Sequence, residues 1–121
     1  MRALLLRLGG AVAAALAALP AVAADLEHGR QLYRSCAACH TDQPGALGPT
    51  LKGVVGRQAG AREDFRYSNA MKNAGFVWDE ANLRGFLENP QGKVKGNRMP
   101  FEGLRDPKDR DDLVAYLATL K

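Results

Sequence analysis

Cys36-Ala37-Ala38-Cys39-His40 restricts what this chain can fold into more than any other stretch. Two thiols three positions apart, followed at once by an imidazole, form a C-x-x-C-H sequence of the kind at which haem is attached. At the end of a helix the two sulfurs reach both vinyl groups of one porphyrin as thioethers, and the histidine is thrust at the iron. A thioredoxin-like redox pair wants a βαβ setting, which the sequence lacks. A zinc site wants two further ligands, and the chain has only two cysteines and two histidines. A plain disulfide leaves His40 and the long glycine-rich loops described below without a purpose.

The N-terminus fits such chemistry. Arg2 and Arg7 form a positive opening, residues 8–19 an Ala/Leu-rich apolar run, and Ala21, Ala23 and Ala24 the small residues a signal peptidase accepts. We read residues 1–24 as a cleaved secretory signal, with the cut itself left open within Ala23 to Asp25, and residues 25–121 as one domain. The apolar run falls short of the roughly 20 residues of a membrane-spanning helix, so no permanent anchor is expected. Of the 17 basic residues the leader holds two, which leaves 15 against 13 acidic ones in the mature domain. Their signs are mixed along the chain, and no basic stripe with interleaved aromatics points to nucleic acid.

The domain reads as all-α. Leu26, Gly29, Leu32, Tyr33 and Cys36 recur at helical spacing over residues 26–39 with Asp25 as cap. Residues 41–64 carry five glycines and two prolines and read as loop, too long for a compact domain unless it wraps something. A short helix is expected over residues 68–73. A firmer one follows Asp79 with Leu83, Phe86 and Leu87 on one face and stops at Pro90; residues 92–104 are again irregular. Asp106 as cap, Pro107 at the first position and the stripe Leu113, Val114, Leu117 and Leu120 mark the last helix. The expectation is three main helices plus a short one around an internal prosthetic group, which helps to fill the core of a chain this small.

Haem iron has a second axial position, for which Met71 and Met99 are the candidates. Met99 lies in the second irregular stretch and is followed by Pro100, where a non-helical segment can arrive at the opposite face with a soft thioether. Met71 sits at helical spacing, where methionine usually fills core volume. His28, the other histidine, reads as a solvated residue of the first helix.

Several further stretches join the C-x-x-C-H sequence: Gly29-x-x-x-Tyr33, Gly48-Pro49, Gly56-Arg57, Phe65-x-Tyr67-Ser68, Trp78, Leu87-Glu88-Asn89-Pro90, Met99-Pro100-Phe101 and residues 112–117. Together they resemble a class I cytochrome c of the mitochondrial and bacterial periplasmic type over essentially the whole mature chain. The resemblance implies the small cytochrome c fold with one haem c attached through Cys36 and Cys39. His40 and Met99 would be iron ligands, and the Pro49 carbonyl would hold the other ring nitrogen of His40. Arg57, Tyr67 and Trp78 would hydrogen-bond the haem propionates, and Gly29 and Tyr33 would pack on Leu113 and Tyr116.

It also implies a function. With both axial positions filled, the expected role is a periplasmic one-electron carrier rather than an enzyme. Its partners would be drawn from a membrane quinol-oxidising cytochrome complex, a terminal oxidase, a photosynthetic reaction centre or a periplasmic dehydrogenase. The alternative is a haem enzyme or sensor in which the methionine leaves the iron to admit peroxide or a small gas. The chain departs from the mitochondrial pattern in a shorter loop between His40 and Pro49, in Phe86 where tyrosine is usual, and in Met71 where an internal asparagine is usual. The last two changes predict a drier haem pocket. Lys72, Lys93, Lys95 and Arg98 are the bases left to ring an exposed haem edge.

Overall fold

Among the described residues five helices follow in order: α1 (Leu26–Ala37), α2 (Asn69–Lys72), α3 (Glu80–Glu88), α4 (Pro90–Lys93) and α5 (Pro107–Leu117). The computed structural model describes residues 3–5, 8–13 and 23–121. No strand occurs among them, and the one ladder-like feature is an isolated antiparallel bridge between Gln58 and Val77. Much of the expected leader, including Arg2, Arg7 and Ala21, lies outside the described residues; among those described, Leu4, Leu5, Leu8 and Val12 are exposed. No helix of the described residues is long and apolar enough to cross a membrane.

Each main helix begins where an aspartate can accept an otherwise unpaired backbone N–H. Asp25 accepts from the His28 amide at 3.0 Å, Asp79 from Asn82 at 2.7 Å and Asp106 from Lys108 at 2.9 Å. The expected stop at Pro90 holds for α3, but the chain does not then become irregular at once. Asn89 ends one helix and starts another, its side chain accepting from the Gly92 amide at 3.0 Å while Pro90 takes the first position of α4. The structure therefore has two short helices where the sequence predicts one, and α1 ends at Ala37, two residues before the expected end.

The first and last helices cross closely. Gly29 is buried against α5, and a Cβ added to it would stand 2.1 Å from the Asp112 carbonyl oxygen and 2.8 Å from Tyr116 Cβ. Beside this contact the Tyr33 and Tyr116 rings meet with centroids 5.2 Å apart. Leu113, Val114 and Leu117 from α5 join Leu83, Phe86 and Leu87 from α3 in one core, together with Val54, Trp78 and Val94 from the connecting segments.

The glycine-rich segment after α1 is tied at several places. Gly53 N–H donates to the Leu120 carbonyl at 2.9 Å, Ala59 N–H to Phe76 at 2.9 Å, Gly56 N–H to Trp78 at 2.8 Å and Trp78 N–H to Arg57 at 2.8 Å. These last two bonds set Arg57 beside Trp78.

At the α1–α5 crossing lies a buried acid. Asp112 is 1% exposed and accepts from the backbone N–H of Asp25 and from the Lys108 ammonium, with the His28 ring nitrogen Nδ1 2.8 Å from its other oxygen. His28 is thus a partner of the buried acid, not simply the solvated residue its sequence position suggests. The Lys108 hydrogen bond, against the opposing effect of burial and helped by Asp25 N–H and His28, lowers the Asp112 carboxyl from 3.8 to about 2. A folded-state value below the unfolded one stabilises the fold above the unfolded value, and the contribution drains away as pH falls toward 2. Urea midpoints for the native chain should therefore fall between about pH 4 and about pH 2, and Asp112→Asn should flatten that part of the profile while lowering the neutral-pH midpoint. An equally steep acid limb in the variant would place the acid sensitivity elsewhere.

Candidate functional site

The C-x-x-C-H sequence straddles the C-terminal end of α1, where His40 N–H and Cys39 N–H both donate to the Cys36 carbonyl, at 3.0 and 3.1 Å. This last turn keeps both sulfurs and the imidazole on the wall of a single cavity of about 550 Å³. That size suits an organic cofactor rather than a bare ion. Cys36 and Cys39 are half-buried and unpaired. Burial pushes the Cys36 thiol above its usual range, the opposite of the lowered thiol that drives disulfide exchange.

His40 is held by the loop that follows. Its Nδ1 is 2.6 Å from the Pro49 carbonyl oxygen, and a carbonyl only accepts, so the ring proton sits on Nδ1 and Nε2 presents a lone pair. Burial, reinforced by the nearby Arg57 and opposed by the Pro49 bond, pulls the imidazole below its ordinary value and keeps it in the neutral, metal-binding form. Gly48 makes the approach possible. A Cβ there would lie 2.6 Å from the His40 ring, and its N–H closes the loop onto the Cys39 carbonyl at 2.9 Å.

Met99 lines the same cavity from the segment between α4 and α5. Its backbone N–H donates to the Asn97 side-chain oxygen at 2.9 Å, while the Asn97 amide donates to the carbonyls of Pro90 and Val94 at 3.0 and 2.9 Å. Gln91 braces the same turn, donating to the Asn97 carbonyl at 2.8 Å and accepting from Gly96 N–H at 3.1 Å. Asn97 is 7% exposed. The sequence reading passed over it, although a polar residue two positions before a candidate ligand, in a stretch with no helical pattern, was the available signal.

The three residues expected at the acidic groups of a haem also reach the cavity. Arg57 is anchored by donating to the carbonyls of Thr50 and Lys52 at 2.9 and 3.2 Å, Tyr67 packs edge-on to Phe65, and Trp78 is 7% exposed between Phe76 and Phe86. Partial burial lowers the Arg57 guanidinium from its ordinary value. All eight residues singled out in the sequence, Cys36, Cys39, His40, Pro49, Arg57, Tyr67, Trp78 and Met99, thus border one space. Met71 borders it as well, from α2.

Leu51, Val54, Leu83, Phe86, Leu113 and Leu117 make up much of the remaining wall, which also carries Arg66, Ser68 and Arg98. The donor set fits a haem: two thiols for thioethers, one nitrogen and one thioether sulfur for iron, and cation and hydroxyl donors for carboxylates. No cluster of three or more histidine, cysteine or acidic side chains able to hold a bare metal ion occurs among the described residues.

The chain is similar to known proteins. Residues 26–121 match the family model described as cytochrome c. A cytochrome c2 of Rhodomicrobium vannielii is 48% identical over 101 residues, covering 80% of this chain and 80% of that protein. A cytochrome c2 of Rhodoblastus acidophilus is 46% identical over 102 residues, covering 82% of this chain and 95% of the relative. Among solved structures, cytochrome cH from Methylobacterium extorquens superposes with a TM-score of 0.75 at 44% identity over 78% of this chain and 98% of its own. The chain belongs to the cytochrome c family and carries one covalently bound haem c.

Proposed function

We propose that this chain, a single-haem electron carrier, works in the periplasm after removal of residues 1–24, passing one electron at a time between membrane and soluble redox partners. The observation that carries the reading is the convergence of His40 and Met99 on the cavity that Cys36 and Cys39 also border. Bound there, the haem supplies a one-electron iron couple. Cys36 and Cys39 would fix its position, and His40 and Met99 would be the two protein ligands of its iron. No coordination site is then left for a substrate, and little rearrangement opposes transfer. The Pro49 carbonyl fixes the His40 ring so that Nε2 would face the metal, and Arg57, Tyr67 and Trp78 would hold the propionates.

Optical spectroscopy tests the reading. The ferric protein should show the weak far-red band of methionine ligation, and the reduced protein should not bind carbon monoxide rapidly at neutral pH. Rapid binding would instead support the enzyme or sensor alternative.

The pocket wall sets the direction of the potential. Phe86 is 6% exposed and stands edge-on to Trp78, and both Phe86 and Met71 bring only apolar atoms or a thioether to the cavity. A dry surround favours the less charged ferrous state and holds the potential high. Phe86→Tyr should lower the midpoint potential, by less than about 59 mV, one decade of a one-electron equilibrium. A rise or an unchanged value in equilibrium titration would remove this account.

For partners we propose a quinol-oxidising cytochrome complex, a terminal oxidase, a reaction centre or a periplasmic dehydrogenase, met through basic residues near the cavity mouth. Arg66, Lys72 and Arg98 border one open depression next to the cavity. Lys93 is engaged elsewhere, donating to Asn82 at 2.8 Å and lying over the Phe76 ring. Association with an acidic partner should slow as ionic strength rises. Rates indifferent to salt would argue against electrostatic docking.

A further inference from the structure

The buried acid at the α1–α5 crossing has a partner that export would change. Asp112 Oδ1 stands 2.8 Å from the backbone nitrogen of Asp25, which is the N-cap of α1 and the residue next to the expected cleavage region. Two cuts satisfy the small-residue rule there. One follows Ala23 and leaves Ala24 at the front; the other follows Ala24 and leaves Asp25. Sequence does not choose between them.

The geometry does. We propose that the mature chain begins at Asp25 and that its new α-ammonium group docks on the buried Asp112 carboxylate, closing a clasp between the first and last helices. The inference rests on the export reading above. In the cleavage, a leader peptidase adds water across the Ala24–Asp25 amide. Ala24 leaves with a carboxylate, and the Asp25 nitrogen becomes an amine that takes up a proton.

Charge balance supports this cut over its neighbour. Asp25, Asp109 and Asp112 gather around two nitrogenous side chains, Lys108 and His28: Lys108 bonds to Asp112, and the His28 ring nitrogens lie 2.8 Å from Asp112 and 3.7 Å from Asp109. Acid is in excess whether or not His28 is charged. Asp111, on the same helix, is taken up by Arg84 at 2.8 Å, and Glu27 by Arg30 at 2.7 Å. An ammonium on the Asp25 nitrogen supplies the missing cation at an atom that already lies within hydrogen-bond distance of the buried oxygen, beside Lys108. Starting at Ala24 would carry that charge one residue, about 3.8 Å along the chain, away from the carboxylate. Ala23 and Ala24 are both exposed. A positive charge at a helix start opposes the helix dipole. Here the Asp25 cap, Glu27 in the first turn and Asp112 beneath offset it.

The test uses exported holoprotein. Its intact mass should equal the haem plus residues 25–121. Trace acylation of the α-amine at neutral pH should then run about tenfold slower than in Asp112→Asn, because a one-unit rise in its proton affinity removes nine-tenths of the free amine. The buried position of Asp112 puts the fold of that variant at risk. A chain given a leader cut ahead of Ala24 therefore serves as the second comparison: it keeps the carboxylate, displaces the amine and should label about tenfold faster than the native one. A native chain starting at Ala24 overturns the inference and leaves export standing. A full-length chain from Met1 overturns both. A chain starting at Asp25 whose amine labels as fast as in both comparisons overturns the clasp alone.

Discussion

Met99→Ala is expected to lower the midpoint potential by a few tenths of a volt, to abolish the far-red ferric band and to let the reduced protein take up carbon monoxide, while leaving the mass of the covalent adduct lower only by the side-chain difference. A thioether is a soft ligand that favours the ferrous state, and axial ligands set haem potentials over a range of roughly 0.8 V. Its loss hands the position to water or a harder donor. The segment carrying Met99 should keep its course, because Asn97 and Gln91 fasten it through the backbone rather than through the methionine side chain. The change in potential is then a ligand effect and not the result of a collapsed loop. Met71 gives the contrast, since it borders the same cavity from α2. Met71→Leu should retain the far-red band with a potential close to native. If Met99→Ala kept the band and Met71→Leu lost it, the ligand assignment would be reversed.

Why the site was so legible follows from the physics of its parts. The thioether pair, the adjacent histidine and the Met-Pro step are contiguous or locally signalled, and their chemistry permits few substitutes. The helices were equally plain, because Asp25, Asp79 and Asp106 each cap a start and the apolar residues repeat at helical spacing. Pairings between segments distant in sequence were less visible. The backbone bonds that tie Gly56 and Arg57 to Trp78 form across a loop without strand alternation, so nothing local announces them. Asn97 escaped notice for a related reason: it acts by filling the hydrogen bonds of three other residues, a role that exists only once α4 has turned the chain. The extra turn α4 was hidden by Pro90, read as a stop although proline also opens helices. His28 looked idle because its partner lies 84 positions away.

Gly29→Ala should destabilise the fold by about 3 kcal/mol or more, which for a domain near 100 residues lowers the thermal midpoint by roughly 12–24 °C. Two effects oppose each other. Alanine inside a helix gains about 0.5–1 kcal/mol over glycine through the unfolded chain and intrinsic preference. Against that, the new Cβ would sit 2.1 Å from the Asp112 carbonyl oxygen and 2.8 Å from its carbon, both backbone atoms that cannot swing aside. α1 and α5 would have to separate, loosening the Tyr33–Tyr116 contact and the bonds from Asp25 and His28 to Asp112. The clash therefore wins. Gly85, inside α3, isolates the smaller effect. A Cβ there meets nothing closer than Lys93 Cδ at 3.7 Å, an ordinary contact with a flexible side chain. Gly85→Ala should accordingly raise stability by about 0.5–1 kcal/mol. Paired urea titrations of the two holoproteins would show shifts of opposite sign; a stabilised Gly29→Ala chain would mean that the helix crossing is looser than the 2.1 Å separation requires.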